Sequence, residues 1–220
     1  MLSNKNAPHP KYTIPTFILG IVFFLLILNS RYPYVFRPAI IQARSGFSIP
    51  VLVLFLSLLL ILSKNNWYNR SGLFILIVIV FAMALAGLWA SGQSERQVIN
   101  GIIPDTDAAF YYFDGLRLQY GLPFSYFGAR RIFFPAFLGV LMSLTQSNLQ
   151  ITLGVLTFLM AISAYLATSV VWKHFGSVAA SIFFVLLFTF ARLSIGKVMS
   201  ECLGLTLGCL SLYFYLSYSS

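Results

Sequence analysis

The stretch 72-GLFILIVIVFAMALAGLWA-90 carries no charged side chain and decides which solvent this chain folds in. About 20 apolar residues cross a hydrocarbon core, within a workable range of roughly 17–25. Gly72 to Ala90 is therefore a span. Working outward, Thr13 to Asn29 and Phe47 to Ser63 lie upstream as shorter candidates. Leu149 to Trp172, Ser177 to Ile195 and Cys202 to Tyr218 follow downstream. The chain is 59% hydrophobic and only 9% charged, with a mean hydropathy of +0.87. A soluble domain carries about 25% charged residues. The expectation is an all-α, multi-pass membrane protein with about six transmembrane helices and an interfacial helical loop. Residues 1–71 read as an N-terminal membrane hairpin, and 72–220 as the main membrane region with a polar loop over 91–148. Its place is then an integral one in the plasma (inner) membrane.

Several features support these boundaries. All three tryptophans fall at span ends: Trp67, Trp89 and Trp172. Indole rings favour the headgroup layer. The first run ends in Leu28-Asn29-Ser30-Arg31 without a small-residue cleavage pattern, so it reads as a retained anchor rather than a signal peptide. The net charge of +9 is scattered between apolar runs. That scatter fits contact with membrane lipids and excludes the clustered footprint of a nucleic-acid binder. Cys202 and Cys209 lie about 10 Å apart along one helix, too far to bridge, and His9 and His174 are isolated. No spacing of these residues suggests a metal.

Sidedness is contradictory on charge alone. A cytoplasmic N-terminus puts Lys5, Lys11, Lys64, Arg70 and Lys173 inside, as the positive-inside rule requires. Arg31, Arg37 and Arg44 then fall outside, against it.

Only five acidic residues occur in the chain, and Asp105, Asp107 and Asp114 gather in the polar loop. Ionisable groups beside a bilayer are costly and mark functional sites. Pro104-Asp105-Thr106-Asp107 reads as a helix start, and Gly121-Leu122-Pro123 as its stop. Asp105 suits the N-cap. At the helical period Asp107, Tyr111 and Asp114 share a face, with Arg117 at its edge. The bland alternative for Asp114 is a surface pair with Arg117, worth at most about 1 kcal/mol. Arg130 and Arg131 precede the short apolar run Ile132–Leu144, which holds Pro135 and is too short to cross. Adjacent guanidinium groups at headgroup depth suit phosphate oxygens, or else simply snorkel. If that run does not cross, the acidic loop and Glu201 lie on one side of the membrane. A local pair with Lys197 is the plain alternative for Glu201. Gly204 and Gly208 form a small-residue face suited to helix packing.

These residues, in this order, resemble the GT-C superfamily of membrane glycosyltransferases, especially the protein O-mannosyltransferase and aminoarabinose transferase relatives. The likeness runs from a span to Asp107 and Tyr111 and a helix ending at Gly121. It continues through Arg131 and Pro135, Ser147-Asn148-Leu149, a basic turn at Lys173-His174-Phe175-Gly176, and Ser200-Glu201 opening another span. It covers about residues 72–218, the region that is then GT-C-like, with a catalytic-type loop at 91–148. The resemblance implies a polyprenyl-phosphate-linked sugar donor and an extracytoplasmic active site. Its acidic loop residue, a catalytic base or a ligand of a divalent metal, falls on Asp107, with Asp105 and Asp114 behind it. Arg130, Arg131 and Arg117 are the expected phosphate ligands, supported by Tyr111 and Glu201. Two departures are plain: three candidate spans precede the loop instead of one, and family members are longer. A truncated form, with a second chain supplying the C-terminal half, is the matching expectation. A transporter would place polar breaks within its spans, and these spans are otherwise apolar. A non-catalytic assembly subunit remains the competing reading.

Overall fold

A computed structural model describes residues 10–29, 36–62 and 66–218. The described chain is nearly all helix. Its elements are α1 (Pro10–Asn29), α2 (Arg37–Ser45), α3 (Ser48–Leu62), α4 (Asn66–Ser91), β1 (Val98–Ile99), β2 (Ile103–Pro104), α5 (Asp107–Gln119), α6 (Tyr126–Ala129), α7 (Phe133–Leu144), α8 (Leu149–Ala191) and α9 (Ser200–Tyr218). The expected runs appear as α1, α3, α4, α8 and α9. Two described helices are long and apolar enough to cross a membrane, Arg70–Ser91 and Leu149–Ala191. A third qualifies if α2 and the start of α3, bent by 91°, are taken as one broken span. Ser63, Lys64 and part of the expected N-terminal basic flank lie outside the described residues. So do Lys5, His9 and Arg31.

α4 is the central element because it has no polar face to turn outward. Leu73, Ile77, Val78, Phe81, Ala82 and Leu85 are fully buried, and the core they begin is shared with Phe24 of α1 and Val53 of α3. α1 and α2 both pack on α4. At the α2 crossing a Cβ on Gly87 would come within 2.1 Å of the Ile40 carbonyl oxygen, so only glycine permits that approach.

Helix α8 has 43 residues, which as one rod would reach about 65 Å, twice a hydrocarbon core. It is not one rod. Gly176 leaves the helical region at φ 85°, ψ 179°, and contacts along α4 show the chain reversing there. Trp89, near the end of α4, borders a groove of about 580 Å³ with Gln150, Ile151 and Gly154. Phe74, a few turns earlier, meets Tyr165 at 5.2 Å. The first half of α8 therefore runs antiparallel to α4. Phe81 then meets Phe188 at 5.8 Å, and Gly196 rests on Leu85 and Leu88, so the second half runs parallel to it. The basic turn at Lys173–Gly176 is the corner of this hairpin. Asn148 caps its start by accepting from the Ile151 N–H at 3.1 Å.

Between α4 and α5 lies a small antiparallel hairpin, with Val98 opposite Pro104 and Ile99 opposite Ile103. Asn100 and Gly101 turn it at φ 52° and 72°. Asn-Gly between apolar residues is a strong hairpin signal, and it structures a loop that polarity alone marks only as an interruption between apolar runs. The hairpin sets where α5 begins, since the Asp105 N–H donates to the Gln97 carbonyl at 3.1 Å.

Candidate functional site

The start of α5 corrects one expectation. Thr106, not Asp105, is the residue at the cap position, at φ 51° and ψ −126°, and its side chain makes no bond to the helix. That turn carries Asp105 off the helix end, where its backbone carbonyl accepts from Ala108. A β-branched residue at positive φ is strained, and such strain gathers at functional sites. Asp107 follows it directly, in the first helical turn, half-buried.

One turn on, Tyr111 is buried. Its ring meets Phe127 and Phe134 edge-on at 5.2 and 5.1 Å. Its hydroxyl accepts from Arg131 Nη1 at 3.1 Å, and the Arg131 guanidinium lies 5.0 Å over the Phe127 ring. The Tyr111 hydrogen bond, followed by the charges of Asp107 and Glu201, holds the Arg131 pKa above its ordinary value. Helix phase in α5 and the α6–α7 link thus bring Tyr111 and Arg131 into contact, with Asp107 and, at the head of α9, Glu201 near enough for their charges to act on that arginine.

Asp114 has a different task. It is 1% exposed and accepts from the Ser125 backbone N–H at 2.6 Å and the Ser125 hydroxyl at 2.7 Å. Ser125 Oγ in turn accepts from the Gly128 N–H, capping α6. A Cβ on Gly128 would sit 2.0 Å from Asp114 Oδ2. The carboxylate thus pins the turn that aims Arg131. The surface pair with Arg117 is not formed, because Arg117 Nε donates to the Pro123 carbonyl at 2.6 Å and closes the α5 exit. Arg130 stacks 4.2 Å over the Tyr126 ring, donates to the Tyr126 hydroxyl, and borders the same cleft as Arg131.

Arg131, Tyr111, Phe133 and Phe134 form one wall of a cleft of about 450 Å³, and Ser200, Leu203 and Leu207 of α9 form the other. Leu203 is buried, whereas Leu207, Ile132 and Phe133 are exposed apolar side chains. The cleft is lined mainly by apolar side chains, with Arg130 and Arg131 as its cations. Among the described residues no three His, Cys, Asp or Glu side chains are grouped to hold a metal ion.

A second charged cluster fixes the α9 wall, and it was invisible to motif reading. Arg44, at the end of α2, is 2% exposed. Its Nε and Nη2 grip Glu95 at 3.0 and 2.7 Å. Its remaining donors go to the carbonyls of Leu193 at 3.0 Å, Ile195 at 2.6 Å and Arg192. Arg192, just past the end of α8, donates from Nη1 to the Gly46 carbonyl at the break between α2 and α3. Each arginine thus satisfies carbonyls freed at the other's helix end. Lys197 reaches Glu95 at 3.1 Å, so the local Lys197–Glu201 pair, the plain alternative for Glu201, gives way to Lys197–Glu95. Burial pushes the Glu95 pKa up, but Arg44 and then Lys197 outweigh it and hold the carboxyl below its ordinary value. Arg44, which broke the charge rule, is a buried bonding partner and not a free topological signal. The same bonds place the loop after α4 beside the α8–α9 link.

Comparison with protein-family models, curated proteins and solved structures returns no match for this chain.

Proposed function

We propose that the cleft between α5–α7 and α9 is the active site of a membrane glycosyltransferase of the GT-C type. The donor is a polyprenyl-phosphate-linked sugar and the acceptor a hydroxyl. The observation that carries this reading is the Tyr111-anchored Arg131 lining an apolar-walled cleft, with the charges of Asp107 and Glu201 near enough to act on it. Arg131 holds the donor phosphate, and the isoprenoid lies along Phe133, Phe134 and Leu207. Asp107 takes the proton of the acceptor hydroxyl as its oxygen bonds to the anomeric carbon. The bond from that carbon to the phosphate oxygen breaks, and the developing charge rests on Arg131. We place the cleft on the extracytoplasmic face of a plasma-membrane protein whose apolar runs cross about six times; the reversal at Gly176 supports two crossings within α8.

The protein reconstituted with polyprenyl-phosphate sugars should transfer sugar. Asp107→Asn should lower the rate by about 10²–10⁴, the usual worth of a positioned base. Equal transfer by variant and parent would remove Asp107 from the mechanism. A second reading, a non-catalytic assembly subunit, is favoured by one observation. Nothing lies within 4 Å of where Cβ atoms on Gly204 and Gly208 would stand, so that face of α9 is open to a partner helix, such as one from a chain supplying later spans. Stable co-purification with a larger membrane enzyme, whose activity survives neutralisation of Asp105, Asp107 and Asp114, would decide for it.

A further inference from the structure

α1, α4 and the first half of α8 enclose the groove that Trp89 borders, about 580 Å³ in volume. Its polar groups are gathered at one end. Phe17 of α1 stacks on Phe74 of α4 at 6.0 Å, so α1 runs parallel to α4, and the start of α8 runs against both. The end of α1, the end of α4 and the head of α8 therefore bring Asn29, Trp89 and Gln150 to one mouth. From there the walls are apolar. They run from Asn29 to Ile21 along α1 and from Gln150 to Phe158 along α8, a depth of about 12 Å. One leaflet, half of a hydrocarbon core about 30 Å thick, is little deeper. At the deep end Phe158 meets Phe24 at 5.2 Å and Phe17 at 5.9 Å, which brings α8 against α1. Nearer the mouth Gly154 leaves a gap. A Cβ there would meet only Leu28 Cδ1, at 3.7 Å.

No charged side chain lines the groove, and the Asn29 and Gln150 carboxamides make no hydrogen bond among the described residues. Each carries two N–H donors. Apolar walls alone would not choose a ligand in a bilayer, because the surrounding lipid is equally apolar. Uncharged donors at the mouth choose one by its acceptors. We infer that this groove binds one acyl chain of a glycerolipid, whose ester carbonyl accepts from the Asn29 and Gln150 carboxamides. The ester stands where the chain meets the headgroup, which is the level of an interfacial tryptophan such as Trp89. The chain then lies along the walls towards Phe158. A polyprenyl phosphate lacks the ester and would bring a full charge to a mouth lined by no cation. The groove shares no residue with the Arg131 cleft, and the inference stands whether or not that cleft is catalytic.

The test reads Trp89 itself. Trp67→Phe and Trp172→Phe leave it as the sole tryptophan. In maltoside micelles this protein is titrated with phosphatidylcholine brominated in the upper part of one acyl chain, bromine being a contact quencher of indole fluorescence. The site predicts quenching that saturates at a single lipid per protein. The unbrominated ester lipid should displace the probe, and its diether analogue, which lacks the carbonyl, should compete about tenfold more weakly. Polyprenyl phosphate should compete no better than the diether. Gly154→Leu fills the groove and should abolish saturable quenching, while Gly208→Leu, at an open helical position on α9, should leave it intact. Gln150→Leu removes one donor, should weaken binding several-fold, and serves alone should Gly154→Leu not fold. Quenching that only grows in proportion to the lipid fraction overturns the site. So does saturation undiminished in Gln150→Leu, or polyprenyl phosphate competing as well as the ester lipid.

Discussion

Asp114 shows how one helical face divides its labour. Periodicity puts Asp107, Tyr111 and Asp114 in line, and the structure keeps them in line. Their neighbours give each a separate role. Asp107 stays half-buried and near enough for its charge to act on Arg131, Tyr111 orients that arginine, and Asp114 is consumed by Ser125. Phase could supply the face, because it depends only on position along the helix. It could not supply Ser125, which comes from a different turn and is chosen by packing. Asp114→Ala leaves the partly buried Ser125 N–H without its acceptor, and should destabilise the protein by about 2 kcal/mol in thermal or denaturant unfolding. Asp114→Asn, which retains an acceptor oxygen, should cost less. An unchanged midpoint for the alanine variant would contradict the pinning role of this carboxylate.

Among the elements, α8 is the instructive one. Its two halves are legible as separate apolar runs because Lys173-His174 interrupts them. The sharpness of the reversal rests on a single residue. Gly176 at φ 85° and ψ 179° occupies a region that is essentially closed to residues with a Cβ. Its Cβ position meets nothing within 4 Å, so an alanine there would be strained by the backbone alone, without a clash. Gly176→Ala should therefore destabilise by about 1–3 kcal/mol, read as a lower unfolding midpoint. Gly204→Ala, at an ordinary helical position with equal open space, is the control and should be neutral or slightly stabilising. The β-hairpin at Val98–Pro104 was legible too, from Asn100-Gly101, but two-residue strands give no alternation to notice. The start of α3 was legible, because the polar Arg44-Ser45-Gly46 precedes the run that opens at Phe47; the 91° bend there was not, since the arginine that satisfies the Gly46 carbonyl comes from position 192.

At the scale of the whole molecule, the Arg44–Glu95–Lys197 cluster joins α2, the loop after α4 and the link before α9. Its carboxyl is held below the ordinary value in the folded chain. The bonds it makes thus stabilise the fold fully above the unfolded glutamate pKa, about 4.3. That contribution is lost as pH falls through the lower folded value. Unfolding midpoints should drop as the buffer is taken from pH 6 towards pH 3, and Glu95→Gln should flatten that slope while lowering the plateau. An identical slope in both would show that other groups govern acid stability. Cysteines introduced at Ser94 and Ser194, in loops that this cluster brings together, should label from the same side of a sealed vesicle. Hydropathy and helical phase were enough to read the nearly all-helical fold, the helices apolar enough to cross a membrane and the face of α5, since these follow from local composition and spacing. Which charges meet, where α2 bends from α3, and what the cleft is made of depend on contacts between residues up to some 150 positions apart, as in Arg44 with Ile195. Such partners are selected by how the helices pack, because a buried charge settles beside whichever donors and carbonyls the packing leaves unpaired.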